Sequence, residues 1–302
     1  MTSLVSVKAI GWGATAAASV LAYSYLEAQW FTLRRETVPV LQAGEKPIRV
    51  LHLSDIHLMP YNQRKIAWLR SLAALEPDLV VNTGDNLSSR HSVGPLLAAL
   101  DGLLDVPGVF VFGSNDYFSP HPKNPAKYLI GGTGVDNGGD WDREPDLPFE
   151  ELQVGFAARG WRNLNNANSD LIVNGQRLAF VGVDDPHIRR DDLTSVSIDA
   201  TAPLSVGVVH APYLRVLEDW SRQGADIILA GHTHGGQLRV PGFGALVTNC
   251  DLDRQRARGL SKFGSSGDGE SWLHVSAGCG TSPYTPVRFA CRPEATLLTL
   301  TE

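Results

Sequence analysis

The sequence predicts an α/β fold of two stacked sheets flanked by helices, with a membrane-spanning helix in front of it. Two observations indicate this class. Short apolar segments of strand character alternate with segments whose apolar residues recur at helical spacing, which favours a largely parallel sheet with right-handed crossovers. Separately, residues 9–26 contain no charged residue, and this run has the length of a short membrane span.

Composition bounds the function before any motif is considered. Of the 302 residues, 43% are hydrophobic and 19% are charged, a balance typical of a globular protein with a substantial core. The net charge of −6 argues against a nucleic-acid partner. It does not argue against a small phosphorylated substrate, because a bound metal supplies positive charge locally. Cys250, Cys279 and Cys291 show no CxxC spacing, so we expect free thiols or at most one disulfide.

The N-terminal segment is interpreted as a single membrane span over residues 1–30, followed by a linker over residues 31–47. A cleaved signal peptide and a buried alanine-rich helix are the alternatives. The run is long for a signal peptide, and no A-x-A cleavage site lies well beyond it. The side of the membrane stays open, because Lys8 precedes the span while Arg34 and Arg35 follow it.

The next segments of the chain read as strand, helix, strand, helix and strand. The strands are predicted at residues 48–55, 78–85 and 109–116, and the helices at residues 64–75 and 92–104. Each strand ends in an acidic or amide residue. In parallel sheets ligands gather beyond the carboxyl ends of the strands, so these polar ends are expected to share one edge.

The second half of the chain returns to strands after a long irregular segment. Residues 118–150 are rich in proline, glycine and aspartate, and we interpret them as an insertion that covers the substrate. The number of later strands favours two stacked sheets; they are predicted at residues 178–185, 204–212, 226–236, 272–278 and 294–300.

Side chains with metal-binding atoms follow these strands. They are Asp55, His57, Asp85, His210, His232, His234, and either Asn115 or Asp116. Carboxylates, imidazoles and an amide oxygen suit Mn, Fe or Zn better than the all-oxygen sites of Ca or Mg. The set is large enough for two divalent metal ions if one carboxylate bridges them. These residues form five groups along the chain, one after each of five apolar strands. A single group is weak evidence, but the succession of all five predicts a metal centre.

The motifs LSDIHL, NTGDN, VVHAP and AGHTHGGQ resemble the calcineurin-like metallophosphoesterase superfamily. The last motif and the C-terminal segment SAGCGTSPYTPVRFACRPEATLLTL resemble the bacterial branch related to UDP-2,3-diacylglucosamine pyrophosphatases and membrane-bound phosphodiesterases. The resemblance covers residues 48–302. It implies a four-layer α/β/β/α sandwich, a metallophosphoesterase domain over that range, and activity as a metal-dependent phosphoric ester hydrolase.

The resemblance also implies a set of ligands with one shared carboxylate. The first metal takes Asp55, His57, Asp85 and His234, and the second takes Asp85, His210, His232 and an amide from the third motif. A hydroxide that bridges the two metals, with its pKa lowered by both cations, would attack phosphorus in line.

The third motif departs from the superfamily, which usually has Gly-Asn-His-Asp or Gly-Asn-His-Glu where this chain has GSND, residues 113–116. Without a gap, Ser114 falls on the ligand; slipped by one residue, Asn115 is the ligand and Asp116 replaces the histidine. We favour the slipped register, because an amide oxygen is a better ligand than a neutral hydroxyl. The histidine is missing in both registers. Either Asp116 protonates the leaving oxygen, or the leaving group needs little help, as in a pyrophosphate or aryl phosphate, or activity is lost.

The sequence therefore predicts a membrane-anchored phosphodiesterase or pyrophosphatase that acts on a lipid-linked or nucleotide-linked phosphate. The anchor motivates the lipid part of this prediction. The alternatives are a phosphodiesterase or monoesterase for soluble nucleotides, and a catalytically retired metal-binding scaffold that docks a partner. Arg288 is interpreted either as a phosphate-binding residue or as a surface charge. The remaining histidines have no predicted role; they are His52, His91, His121, His187 and His274.

Overall fold

The structure is a computed structural model that describes residues 2–122, 141, 143–265 and 269–302, with the backbone alone described for residues 2–14 and 265. In this part of the chain it contains six α-helices and fourteen strands. The helices are α1 (Thr2–Glu27), α2 (Gln63–Ser71), α3 (Val93–Leu104), α4 (Ser114–Tyr117), α5 (Phe149–Ala157) and α6 (Leu214–Gln223).

The first sheet has six strands and joins both ends of the chain. In spatial order its strands are β1 (Thr32–Pro39), β14 (Glu294–Thr301), β2 (Ile48–Leu53), β3 (Leu79–Asn82), β4 (Gly108–Phe110) and β5 (Arg162–Asn163). The strands from β2 to β5 are parallel, as the alternation of strands and helices predicts. The last strand, β14, runs antiparallel to β2 and parallel to β1.

The second sheet also has six strands, four of them parallel. Its spatial order is β12 (Gly259–Ser265), β13 (Gly269–Val275), β9 (Ile227–Ala230), β8 (Leu204–Val209), β7 (Gln176–Gly182) and β6 (Ala167–Val173). The two outer strands, β12 and β6, pair antiparallel with their neighbours. A short hairpin of β10 (Arg239–Val240) and β11 (Gly244–Ala245) lies outside both sheets.

The two sheets pack face to face, with helices on their outer faces. Val50 of β2 belongs to the buried cluster between the sheets, whereas the next residue, Leu51, belongs to the cluster beneath α2, α3 and α5. Both faces of such a strand are buried, so its sequence is a continuous apolar run. On the far side, Leu217 and Trp220 of α6 pack against the outer face of the second sheet. The predicted mixed α/β fold is confirmed, and the layers follow the order helices, sheet, sheet, helices.

The N-terminal segment differs from its prediction. Residues Thr2–Glu27 do form a helix, but no helix in the part of the chain that the structure describes is long and apolar enough to cross a membrane. The prediction of a membrane span in residues 1–30 is therefore not supported. The physical reason is composition, because much of the uncharged run is alanine, glycine and serine, which add little hydropathy. Residues 31–47, predicted as a linker, contain the edge strand β1.

The insertion predicted at residues 118–150 falls largely outside the described residues, which omit 123–140 and 142. Its two described ends pack on each other. The ring of Phe118 lies 5.5 Å from that of Trp141, and the guanidinium of Arg143 lies 4.7 Å from the Phe118 ring centre. Trp141 also contacts the ring of His187 beside the metal-ligand cluster described below. Whether the insertion covers a substrate stays a prediction.

Candidate metal centre

Four of the predicted ligands meet at one point. Asp55, His57, Asp85 and His234 each present a ligand atom, and these atoms lie within 4.8 Å of one another. The Nε2 atoms of His57 and His234 are 3.2 Å apart, and each faces a carboxylate oxygen, of Asp85 at 3.4 Å and of Asp55 at 3.5 Å. Two imidazole nitrogens that converge with two carboxylates form a donor set suited to a transition metal.

Two further predicted ligands lie on the other side of Asp85. The Nε2 atom of His210 is 3.6 Å from Asp85 Oδ1, and its ring lies 5.2 Å from that of His232. His210 Nδ1 is 2.6 Å from the carbonyl oxygen of Thr83, so Nδ1 carries the hydrogen and donates it. In the neutral ring this tautomer leaves the lone pair on Nε2, which is buried and has no hydrogen-bond partner among the described residues. A histidine held through its other nitrogen by a carbonyl is the usual arrangement of a metal ligand.

The remaining imidazole, of His232, is held in a similar way. Its Nε2 lies 3.2 Å from the carbonyl oxygen of Asn249, which leaves Nδ1 as the nitrogen free to act as a ligand. The backbone N–H of His232 donates to both carboxylate oxygens of Asp55, at 3.2 and 3.0 Å. The loop after β9 is thereby fixed to the loop after β2, and the two sheets share one site.

The backbone at these positions is unusual. Five of the predicted ligands have a positive φ: Asp55 (49°), His57 (45°), Asp85 (56°), His232 (67°) and His234 (50°). Residues with a Cβ rarely adopt this left-handed region, and such strain clusters at functional sites because the surrounding structure must hold it. Each of these residues lies just past the end of β2, β3 or β9, where the chain turns sharply out of the sheet.

Two glycines let the backbone approach the ligands closely. A Cβ atom at Gly113 would clash with Asp85 Oδ1 and lie 2.6 Å from His210 Nε2. A Cβ atom at Gly231 would clash with the hydroxyl of Ser54 and lie 2.7 Å from Asp55 Oδ2. Glycine is therefore required on steric grounds both at the start of the third motif and immediately before His232.

Burial sets the protonation of the histidines. It lowers the pKa of His57 to about 4 and that of His234 to about 3, so both rings are neutral at pH 7 and offer a lone pair. Asp85 and His210 behave as a pair. Burial opposes the charge on each, but the attraction between them holds the pKa of Asp85 well below its ordinary value and that of His210 well above. For His210 to act as a metal ligand, the proton on its Nε2 would have to be released.

The third motif is divided between the cavity and the protein interior. Ser114 and Asn115 line a cavity of about 90 Å³ over the ligand cluster. The backbone N–H of Asn115 donates to Asp85 Oδ1 at 2.6 Å, and its Nδ2 donates to the carbonyl of Phe118 at 3.0 Å. Asn115 therefore has its carbonyl oxygen left to act as a ligand, as the slipped register requires.

Asp116 is placed differently from its prediction. Its fully buried carboxylate accepts the backbone N–H groups of Gly113, Asp85 and Asn86, at 3.0, 2.8 and 2.8 Å, and it does not line the cavity. Burial and the nearby charge of Asp85 raise the pKa of Asp116 to about 7. The geometry gives no support to proton transfer from Asp116 to a leaving oxygen. Its carboxylate instead joins the loop after β3 to the loop after β4 by accepting N–H groups from both.

Two histidines without a predicted role line the same cavity, His121 and His187. The ring of His187 lies 4.5 Å from that of His232, and its Nδ1 is 3.1 Å from the hydroxyl of Tyr213. The sequence does contain a signal for His187, which follows β7 in VGVDDPH just as the predicted ligands follow their strands. His52 and His274 are buried against each other, with their Nδ1 atoms 2.9 Å apart.

Arg288 also differs from both of its interpretations, as it is neither a surface charge nor part of the cavity lining. It is fully buried, and its Nη1 donates to the carbonyl of His234 at 3.1 Å while Nη2 lies 3.2 Å from His234 Nδ1. The guanidinium supports a predicted ligand from behind. Nothing in the local sequence around Arg288 indicates this contact, because the two residues are 54 positions apart.

Comparison with known proteins identifies the family. Residues 48–236 match the calcineurin-like phosphoesterase family, and this range contains the ligand cluster. The chain is 28% identical to the uncharacterized protein YpbG of Bacillus subtilis over 98% of both chains. It is 26% identical to the phosphodiesterase YaeI of Escherichia coli, over 91% of this chain and 90% of YaeI. A 5′-nucleotidase precursor from Thermus thermophilus aligns with a TM-score of 0.44 and 12% identity, over 84% of this chain and 55% of that one.

The family match spans more than half of the chain and includes every residue of the ligand cluster. The chain belongs to the calcineurin-like phosphoesterase family and is a metal-dependent phosphoric ester hydrolase.

Proposed function

We propose that this chain is a two-metal phosphodiesterase or pyrophosphatase that acts on a lipid-linked or nucleotide-linked phosphate. The observation that carries the proposal is the position of Asp85. Its Oδ2 faces His57 and its Oδ1 faces His210, at 3.4 and 3.6 Å from the respective Nε2 atoms. One carboxylate thus lies between two sets of ligands, which is the arrangement expected of the shared ligand in a two-metal site.

The proposed ligand sets follow from this division. The first consists of Asp55, His57, Asp85 and His234, and the second of Asp85, His210, His232 and the amide oxygen of Asn115. Mn²⁺, Fe²⁺ and Zn²⁺ suit these donors. Such ions supply Lewis acidity when bound, because they lower the pKa of water and neutralise charge on phosphoryl oxygens.

Residues of the cavity lining other than the proposed metal ligands would orient the phosphoryl group and donate hydrogen bonds to it. The imidazoles of His121 and His187 stand in the cavity in addition to the ligands. Their position makes them candidates to contact a phosphoryl or leaving oxygen in a chain whose third motif lacks its usual histidine. Gln237, which also lines the cavity, donates from Nε2 to the carbonyls of Thr285 and Val287. These hydrogen bonds hold the segment that contains Thr285, another lining residue, in place.

A second cavity favours a diester over a monoester. It has a volume of about 450 Å³, and it shares His57 and the segment 280–286 with the cavity over the ligand cluster. A phosphodiester carries two substituents on phosphorus, and this cavity offers a place for one of them beside the ligand cluster. Its lining is divided about evenly between polar side chains, such as Gln63 and Arg64, and aromatic or apolar ones, such as Met59 and Tyr61. The aromatic and apolar part suits a lipid or nucleoside substituent.

Association with a membrane surface is part of the proposal, without a membrane span. Leu21, Tyr25 and Leu26 of α1 are more than half exposed, at 63%, 52% and 54%. Tyr25 also lines the larger cavity. An exposed apolar helix end beside a substrate cavity would bring the site close to lipid-linked substrates.

Hydrolysis of bis-p-nitrophenyl phosphate and p-nitrophenyl phosphate by the full chain tests the proposal. We expect faster cleavage of the diester with added Mn²⁺, and loss of that cleavage with EDTA, because the reaction needs the metals and the site has room for two substituents. Faster cleavage of the monoester would instead favour a monoesterase. Cleavage of neither ester, with metal still bound, would favour a metal-binding scaffold that docks a partner.

A further inference from the structure

We propose that the last turn of α1 is a positioning element of the metal centre. The buried carboxylate of Glu27 holds a strained segment, residues 288–291, and Arg288 of that segment orients His234. The inference goes beyond the proposed reaction, but it rests on the proposed role of His234 as a metal ligand. It assigns a role in the site to a segment far from every ligand motif in the sequence.

The first step is the contact between α1 and the segment. The side chain of Glu27 is buried, with the residue only 2% exposed. Its Oε1 accepts the backbone N–H of Cys291 at 2.8 Å, and its Oε2 accepts that of Ala290 at 3.0 Å. One turn earlier in α1, the carbonyl of Ser24 accepts the backbone N–H of Arg288 at 2.8 Å. Three of the four N–H groups of the segment therefore donate to α1.

The second step is the conformation that these contacts hold. Ala290 has a φ of 51°, in the left-handed region that residues with a Cβ avoid. Successive backbone N–H groups that point into one concavity form an anion-binding site, and here the carboxylate of Glu27 occupies it. The strained turn persists because an element from the other end of the chain supplies that anion. The rings of Tyr23 and Phe289, 5.7 Å apart, add packing at the same place.

The third step runs from the segment to the ligand. Arg288 is fully buried, and its guanidinium contacts both the carbonyl and the Nδ1 atom of His234, at 3.1 and 3.2 Å. Nη2 also donates to the carbonyls of Gly280 and Gly278, at 2.5 and 3.4 Å. The hydrogen bond from Nη1 thus fixes the backbone of His234. Nη2 only lies beside the ring, because Nδ1 carries the hydrogen when Nε2 acts as the ligand atom. His234 itself has a φ of 50°, so its backbone also depends on its surroundings.

These steps predict that a change at Glu27 is transmitted to metal binding. Without the carboxylate, two buried N–H groups lose their acceptor and the turn at Ala290 loses the anion that holds it. The guanidinium of Arg288 then shifts, and the backbone that places His234 beside Asp55 and His57 loses its support. Changes in groups that support a ligand from behind weaken metal binding by about 10–100-fold.

Titration of the metal-free full chain with Co²⁺ tests the inference, with the visible absorption bands of bound Co²⁺ as a second reading of ligand geometry. We expect Glu27→Ala to bind Co²⁺ about 10–100-fold more weakly, with altered bands. Glu27→Gln is expected to be intermediate, because its amide oxygen still accepts one of the two N–H groups. The control is Glu218→Ala, which removes an exposed glutamate from α6 and should match the wild type.

A purely structural role for Glu27 gives a different result. If Glu27→Ala binds Co²⁺ with wild-type affinity and bands, the inference is overturned, whatever happens to the midpoint of thermal unfolding. If Glu27→Ala does not fold, Glu27→Gln decides by the same criterion, and wild-type affinity and bands in that variant overturn the inference. Absence of Co²⁺ binding by the wild type would instead overturn the proposed function, and the inference with it.

Discussion

Asp85→Asn is expected to lower kcat/KM for bis-p-nitrophenyl phosphate by about 10³-fold or more, while the protein stays folded. Asp85 is the one carboxylate placed between the two proposed ligand sets. An asparagine keeps the shape but removes the negative charge, and its amide nitrogen would face either His57 or His210. A metal contributes several kcal/mol to transition-state stabilisation, and about 1.4 kcal/mol corresponds to tenfold in rate.

The measurement pairs steady-state kinetics with the metal content of the purified protein. Asp101→Asn is the matched control, because Asp101 has a largely exposed side chain whose salt bridge is with Arg159, away from the site. It should retain wild-type activity and metal content. If Asp85→Asn retained kcat/KM within tenfold of the wild type, Asp85 would not be the shared ligand.

Gly113→Ala is the second substitution with a large expected effect. The backbone of Gly113 has a φ of −114° and a ψ of 176°, which alanine adopts without strain. The effect is therefore steric: the new Cβ would clash with Asp85 Oδ1 and lie 2.6 Å from His210 Nε2. We expect kcat/KM to fall by about 10²-fold or more, because a displacement of about 1 Å in a catalytic group is enough for a loss of that size.

The control for this substitution is Gly94→Ala in α3. Apart from its chain neighbours and the backbone of its own helix, no atom of a described residue lies within 4 Å of a Cβ built at Gly94, and its φ is not in the left-handed region. Activity should stay at the wild-type level. The free energy of unfolding should rise by less than the about 0.5–1 kcal/mol typical of a helix interior, because Gly94 is only the second residue of α3. Wild-type kinetics in Gly113→Ala would contradict the close approach of Gly113 to Asp85 and His210.

The interior strands and the ends that carry the ligands could be predicted from the sequence because burial leaves a local signature. β2 and β3 are buried on both faces, so each is an unbroken apolar run that stops where the ligand loop begins. Their predicted ends were too long by two or three residues. The chain leaves β2 at Leu53 and β3 at Asn82 to place Asp55 and Asp85 in the left-handed region.

Edge strands lack that signature. β1 has the sequence TLRRETVP, with only Val38 buried, and its pairing depends on β14 at the opposite end of the chain. β5 has only two residues, and β6 is exposed at alternate positions. The composition of such a polar segment does not distinguish a strand from a loop. The segment forms a strand because a neighbouring strand pairs with it.

The roles of Asp116 and Glu27 could not be predicted from the sequence for a related reason. A carboxylate that binds a substrate and a carboxylate that accepts backbone N–H groups have the same chemistry, and the distinction lies in where the loop directs them. Asp116 meets N–H groups of residues 30 or 31 positions away, and Glu27 meets those of residues more than 260 positions away. The contacts of Asp116 follow from the pairing of β3 with β4, and those of Glu27 follow from the packing of α1. No local pattern encodes either.

Anomalous diffraction from crystals of the full chain grown with Mn²⁺ tests the central claim most directly. The account predicts two manganese peaks about 3.5–4 Å apart, with Asp85 between them. One peak should be bound by Asp55, His57 and His234, and the other by His210 and His232. A single peak, or peaks that do not contact Asp85, would contradict the two-metal centre.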